Sequence, residues 1–348
     1  MISGLLLVLI PGAAIAFAGP APQIAPSSHA VDLAHGEGLY ARHCRRCHGS
    51  HGDDISCSGD MTPLAGLCKR PRIGLLAELL SPAYFARGTS FEGEDARDLT
   101  AYLCSLKGEK GFDAPEFVCL PRLLSKEYGY LKHYRVIDVR DKAAYDKAHI
   151  SNAVPWPIPL SCEPPFGSAE DAVRSTLASF GVRPETMIVI YDEVLSTRAA
   201  LLWWSLMRAG HGSVAILDGG IRRWIGDGYF VTSQLTPLIP SDYSVVKPAV
   251  LQAPAAETEY PVLRLISGSR NSGPGIFNPE LAVTEGSLRT AAELRAYLSQ
   301  CGIRLPGTYR IAGNVSDGPF LVYLFRLLGF NEVQFDPGNS LLQVAAHP

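Results

Sequence analysis

The chain has 348 residues, 47% of them hydrophobic and 19% charged, with a formal net charge of −3. At roughly 100–200 residues per domain this leaves room for two or three compact units, and charge this low and balanced excludes a disordered chain. It gives no electrostatic footprint for nucleic acid, and eight cysteines are too sparse for a small disulfide-built scaffold.

Residues 2–18 are apolar apart from Ser3 and close on Ala16-Phe17-Ala18. An apolar run ending in A-x-A reads as a signal peptide over residues 1–18, which predicts export to the periplasm, where disulfides form. Its length and Pro11 argue against a membrane span. No Lys or Arg precedes the run, so a retained anchor is the alternative, and membrane contact is expected only in that case. Residues 19–28, rich in Pro, Ala and Ser, read as a tether.

Cys44-Arg45-Arg46-Cys47-His48 is the strongest chemical signal. Two thiols at this spacing can form thioethers with the haem vinyl groups, and the adjoining imidazole can ligate the iron. The expectation is one covalently bound haem c, attached through Cys44 and Cys47, with His48 as axial iron ligand. A C-x-x-C pair alone also suits a redox dithiol or half a zinc site; the His directly after the second Cys separates these readings. Gly36, Tyr40 and Cys44 share one helical face leading into the motif. Residues 94–106 carry Leu99, Tyr102, Leu103 and Leu106 at helical spacing behind an acidic first turn. Thr62-Pro63-Leu64-Ala65-Gly66 lies between the two helices.

Over residues 32–108 these features resemble class I c-type cytochromes. The resemblance implies a small all-α domain whose first and last helices cross, with the Pro-Leu segment beside the proximal His. The departure is on the opposite side of the iron. Where the family presents a Met before the last helix, residues 84–91 hold neither Met nor His. Met61, Met187 and Met207 read as packing residues, and His51 follows the motif too closely to reach the far face. The sixth ligand is unassigned, which leaves either an open iron or a ligand from another part of the chain.

From about residue 116 the pattern becomes strand–helix alternation, the signature of an α/β domain. Residues 134–139 and 187–191 are apolar strands, the latter continuous as in a parallel sheet covered on both faces. A loop from Asp192 leads to a helix bearing Ala199, Ala200, Trp203, Trp204 and Met207, closed by Gly210. Residues 214–217 form the next strand, followed by Asp218-Gly219-Gly220 and a short helix with Trp224. This succession over residues 116–232 resembles a rhodanese domain. After a linker at 233–258, residues 259–348 repeat its second half. Helix 290–300 opens with a Thr290/Glu293 capping box, and strand 309–311, helix 319–328 closed by Gly329 and strand 333–335 follow. The front half near 263–270 matches weakly. The overall expectation is a multidomain chain: a small all-α cytochrome domain, then two α/β rhodanese-like domains with parallel sheets, the second degenerate.

The resemblance implies a persulfide-forming thiolate in the loop between a strand end and a helix N-terminus, where backbone N–H groups and the helix dipole stabilise it. Asp192 stands at that position in the first unit; its carboxylate cannot carry a persulfide and reads as a loop anchor or helix cap. In the second unit, counting back from Gly329 by the Asp192-to-Gly210 spacing reaches Ile311, and residues 309–319 contain no Cys. No catalytic residue is assigned, and sulfurtransferase activity is not expected. Cys57, Cys68, Cys104, Cys119, Cys162 and Cys301 form an even set, with Cys57–Cys68 and Cys104–Cys119 as local pairings; a reactive thiol at Cys162 or Cys301 is the alternative.

The expected function is one-electron transfer by an exported monohaem cytochrome. Its rhodanese-like units would bind a sulfur-containing small molecule or dock a redox partner protein. The alternatives are a sulfur-compound oxidoreductase and a haem sensor, both using an open iron.

Overall fold

The computed structural model describes residues 30–53, 64–65, 91, 93–126, 134–158, 170–243, 262–264, 277–303, 309–312, 317–330 and 333–335. The signal-peptide reading of residues 1–18, Met61, Cys57, Cys68, Cys162 and most of residues 84–91 lie outside them. Among the described residues, no helix is long and apolar enough to cross a membrane.

The N-terminal module is helical. α1 (Leu33–His43) is capped by Asp32, whose carboxylate accepts from the N–H groups of Ala34 and His35. It runs through Cys44 into the single turn α2 (Arg45–His48). α3 (Gly93–Ser105) starts one residue earlier than its hydrophobic pattern predicts, with Glu94 and Asp95 in the first turn. α1 lies against α3 where Gly36 meets Asp98: a Cβ on Gly36 would fall 2.1 Å from the Asp98 carbonyl oxygen. The crossing thus depends on a missing side chain, which allows the backbones to approach. Leu39, Tyr40, Cys44, Leu64, Leu99 and Leu103 fill the space between them.

The first α/β unit begins with β1 (Val118–Cys119) and α4 (Pro121–Lys126). It continues with β2 (Tyr134–Asp138), α5 (Lys142–Lys147), β3 (His149–Ile150) and β4 (Ala153–Pro155). Next come α6 (Glu170–Ser179), β5 (Met187–Tyr191), α7 (Thr197–Arg208), β6 (Val214–Leu217), α8 (Gly220–Gly226) and β7 (Val231–Thr232). Five strands form one sheet in the order β1-β6-β5-β2-β4, every pair parallel. Its residues alternate between faces. Ile137, Ile188, Ile190 and Ile216 enter one core, whereas Val136, Val189, Tyr191, Ala215 and Leu217 enter another with Tyr145, Ile150 and Trp224.

The second unit has β8 (Val262–Arg264), a hairpin of β9 (Val283–Thr284) and β10 (Ser287–Leu288), α9 (Ala291–Gln300), β11 (Tyr309–Ala312), α10 (Gly318–Leu327) and β12 (Val333–Phe335). Its sheet is parallel, in the order β12-β11-β8. The Thr290/Glu293 capping box forms with both of its hydrogen bonds. The two α/β units share one core: Leu202, Trp203 and Leu206 of α7 belong to the same buried cluster as Phe320, Leu321 and Leu324 of α10.

One cysteine pairing is corrected. Cys104 is in a disulfide, but Cys119 is not, so the two are not joined; Cys119 instead ends β1, and its sulfur lies 3.7 Å from the Leu120 carbonyl oxygen. The partner of Cys104 lies outside the described residues. Cys301 is likewise outside any disulfide and caps α9, 1% exposed within the shared core.

Candidate functional site

Two sites follow from the sequence, one at the C-x-x-C-H motif of the helical module and one at Asp192 in the first α/β unit. At the C-x-x-C-H motif, the Cys44 N–H donates to the Tyr40 carbonyl, and the Cys44 carbonyl accepts from both Cys47 and His48 at 3.0 Å. The helix therefore continues through the motif, bringing both sulfurs and the imidazole to the end of α1. Gly49, with φ 71°, ends the turn, and its carbonyl accepts from the Tyr40 hydroxyl at 2.7 Å. Cys44 and His48 are buried, Cys47 half-buried. Burial, then the neighbouring Cys47, pushes the Cys44 thiol up to about 11. Cys44 and Cys47 are not joined to each other. Past the motif, the Gly52 carbonyl accepts from Leu64 and Ala65 at 2.7 and 2.8 Å, folding the Pro-Leu segment back onto the same apolar cluster. Two thiols, one imidazole and an apolar wall in this placement suit a covalently held porphyrin.

In the first α/β unit, Asp192 is the first residue after β5, 1% exposed. Its carboxylate takes the Arg198 guanidinium bidentately at 2.8 and 2.7 Å, the Glu193 N–H at 2.7 Å and the Ser196 hydroxyl at short range. All its acceptor capacity is used, so it anchors the loop. The helix-cap alternative is corrected: Ser196, not Asp192, caps α7. The loop floor is α8. Ile221 and Arg222 donate to the carbonyls of Asp192 and Glu193 at 3.0 Å, and a Cβ on Gly220 would lie 2.4 Å from the Asp192 carbonyl oxygen. The roof is the β9–β10 hairpin of the second unit: Leu195 donates to the Gly286 carbonyl at 2.9 Å, and a Cβ on Gly286 would lie 2.8 Å from Val194 Cγ1.

Sequence reasoning missed the salt-bridge system beside this loop. Asp218, fully buried, accepts from Arg223 Nη1 at 2.6 Å and the Leu288 N–H at 2.7 Å, with Lys110 Nζ at 3.2 Å. Arg223, five residues on from Asp218 along α8, was the only local signal. In the second unit, Ile311 lies within β11 rather than in a loop, because α10 is shorter than α7 and the counted spacing slips. The loop after Ala312 lies outside the described residues, and its sequence, Gly313-Asn314-Val315-Ser316, holds no thiol. Among the described residues, no group of three His, Cys, Asp or Glu side chains is placed to hold a metal ion.

Residues 124–227 match the family model described as a rhodanese-like domain. This chain is 33% identical over 88 residues to thiosulfate/3-mercaptopyruvate sulfurtransferase 2 of Arabidopsis thaliana, covering 25% of this chain and 23% of that protein. It is 34% identical over 68 residues to thiosulfate sulfurtransferase of Bos taurus, covering 19% and 23%. The matches thus span less than a quarter of either relative. Among solved structures, a persulfide form of EanB with ergothioneine aligns over 79% of this chain and 78% of that one, with a TM-score of 0.55 at 13% identity. YnjE aligns over 81% and 77%, with a TM-score of 0.51 at 16% identity. These likenesses concern the fold, and they extend beyond the length of the first α/β unit. With its parallel five-stranded sheet flanked by helices and its strand–loop–helix at Asp192, residues 124–227 form a rhodanese-like domain with sulfurtransferase relatives.

Proposed function

We propose that this chain is an exported one-electron carrier with a single covalent haem c, whose rhodanese-like units bind a sulfur compound or dock a redox partner without transferring sulfur. The observation that carries the reading is the placement of Cys44, Cys47 and His48 on consecutive turns at the end of α1, against the apolar cluster between α1 and α3. Cys44 and Cys47 would hold the haem by thioethers, and His48 would ligate its iron; the haem supplies a one-electron couple when bound. Leu39, Leu64, Leu99 and Leu103 keep water from that wall. The saturated carboxylate of Asp192 supports the loss of sulfur transfer, since a carboxylate offers no sulfur nucleophile.

The test is expression in a host that matures c-type cytochromes. The expected protein keeps its haem through denaturation and acid–organic extraction, and Cys44→Ala or Cys47→Ala reduces it to at most a single thioether. Protein that emerges without bound haem overturns the reading. A second reading, an oxidoreductase or sensor with an open iron, is favoured by the lack of Met and His at residues 84–91. Ready spectral shifts of the ferric protein on adding sulfide or imidazole are its signature, and a methionine–iron charge-transfer band excludes it.

A further inference from the structure

The second α/β unit carries a cavity of about 300 Å³, lined by Leu281, Arg289, Glu293, Ala296, Tyr297 and Gln300. None of these belongs to the Asp192 loop or to the C-x-x-C-H motif. Three segments close around it. The 3-10 turn Pro279–Ala282, capped by Asn278, brings Leu281. The Arg289 N–H donates to the Ala282 carbonyl at 3.2 Å, which seats the end of β10 beside that turn. From α9 come Glu293, Ala296, Tyr297 and Gln300, spaced i, i+3, i+4 and i+7 and therefore on one stripe of the helix. The Tyr297 hydroxyl accepts from the Asn278 N–H at 2.8 Å and donates to the Asn278 carbonyl at 3.0 Å. It ties the helix to the turn, so what Tyr297 offers the cavity is its ring. Ala296, a single methyl in the middle of the stripe, leaves the space open.

The walls from Leu281, Ala296 and Tyr297 are apolar, and one cation faces them. Arg289 is half-buried. Among the described residues its guanidinium forms no hydrogen bond or ion pair, and its Nε is shut off from water. An arginine held in this way, rather than swung into solvent, is costly until an acceptor meets it. Glu293 is not that acceptor. Its Oε2 takes the Thr290 N–H at 2.9 Å and the Thr290 hydroxyl at 2.8 Å. Those bonds are the leading cause of its lowered pKa, and the Arg289 charge adds less.

We propose that this cavity binds a small monocarboxylate with a ring-sized apolar body, its carboxylate on Arg289 and its body against Leu281, Ala296 and Tyr297. One guanidinium fork matches one carboxylate through parallel hydrogen bonds. A doubly charged phosphate would have a single cation to offset it, with Glu293 on the same stripe. The volume stands at the lower end for small-molecule sites, which suits a ring bearing one acid group. The site needs neither the haem nor the Asp192 loop, so it stands or falls apart from the function proposed above.

The experiment is a fluorine NMR titration of para-fluorobenzoate with the full chain at neutral pH and low salt. Wild type is expected to shift and broaden the signal saturably, with a dissociation constant at or below about 1 mM. The uncharged para-fluorobenzyl alcohol is expected to bind about tenfold more weakly. Arg289→Gln is expected to weaken the benzoate by about tenfold and leave the alcohol unchanged, with Arg289→Lys in between. Ala296→Leu, at an exposed helix position, fills the space and is expected to weaken both probes while keeping the wild-type urea midpoint. Lack of saturation up to about 10 mM overturns the site. So does undiminished benzoate binding in Arg289→Gln, or binding of both probes unchanged in Ala296→Leu. Equal affinity for the alcohol, or tighter binding of benzylphosphonate, overturns the monocarboxylate class. Should Arg289→Gln fail to fold, Ala296→Leu and the alcohol decide.

Discussion

Lys110 extends its ammonium to 3.2 Å from the buried carboxylate of Asp218 and 2.6 Å from the Leu288 carbonyl oxygen. It belongs to the stretch that follows α3, so a residue leaving the helical module closes the junction between α8 and the β9–β10 hairpin. Its neighbours fasten both sides. The Glu109 N–H donates to Asp53, just past the C-x-x-C-H motif, while Asp113 pairs with Arg295 and Lys107. Asp113 and Ala114 also donate to the Leu327 carbonyl. The connection is a strap rather than a loose tether.

Asp218→Ala is expected to destabilise by about 3–5 kcal/mol, because it leaves the Arg223 and Lys110 charges and the Leu288 N–H without their shared acceptor. Lys110→Met costs less, about 1–2 kcal/mol, since Arg223 still answers Asp218. Urea unfolding of the two variants checks the order.

Asp192→Cys places a thiol among the donors that now hold a carboxylate: the Glu193 N–H, the Ser196 hydroxyl and the Arg198 guanidinium. Those donors favour the thiolate, so its alkylation by iodoacetamide is expected to persist well below the usual thiol range. Persulfide formation from thiosulfate, read by cyanide release of thiocyanate, is expected in this variant and not in wild type. Asp192→Ala, which keeps neither charge nor sulfur, is expected to show only lost stability.

Gly36→Ala drives a methyl group into the Asp98 carbonyl, where a Cβ would sit 2.1 Å away. Separating α1 from α3 is expected to cost at least about 1–3 kcal/mol, read by urea unfolding, and, under the proposed function, to lower haem retention in parallel. Gly38→Ala, whose Cβ meets nothing within 4 Å, is the matched control and is expected to be neutral or slightly stabilising.

Two buried groups among the described residues, His211 and Asp98, respond to acid in different pH ranges. Burial depresses His211 to about 4; its Nε2 lies 2.8 Å from the Thr186 carbonyl and its Nδ1 2.9 Å from the Tyr243 hydroxyl. A folded-state value below the unfolded one means that the unfolded chain binds the extra proton first. Stability from this site is full above about 6.5 and falls as pH drops toward 4, by on the order of 3 kcal/mol. Asp98 is held below the usual carboxylate range by its hydrogen bond from His35, with Asp32 and Arg97 adding to it. Its contribution is present above the ordinary carboxylate value and fades only as pH falls through the depressed one. The expected acid unfolding curve is therefore displaced by His211→Gln at pH 4–6.5 and by Asp98→Asn at lower pH.

The elements that could be read from sequence are those whose pattern is local. β5 and β6 are uninterrupted apolar runs and appear with their expected ends, as does β12, and Gly210 and Gly329, at φ 92° and 86°, stand just past their helices. Thr290 and Glu293 announce their capping box by spacing alone. β1 is two residues between a 3-10 turn and a helix, too short for a period, yet it supplies the fifth strand. The Asp192 position and its loop-anchoring role were legible, but its partners were not, because Arg198 and Ser196 declare themselves only when the loop closes. Lys110 and Leu288 lie 178 positions apart, a contact that no pattern within either segment encodes.

The edge-to-face aromatic cluster at the shared core holds an indole that can serve as an optical gauge. Trp203 is fully buried, with the Phe117 ring at 5.3 Å and the Tyr323 ring at 5.2 Å, and among the described residues its indole N–H has no hydrogen-bond partner. Tyr323 in turn donates to the Phe117 carbonyl, so strap, first unit and second unit meet around one fluorophore. Water reaching that indole would shift its emission to the red. In a variant whose other tryptophans, Trp156, Trp204 and Trp224, are replaced by Phe, the emission colour thus reports separation of the two α/β units without a label.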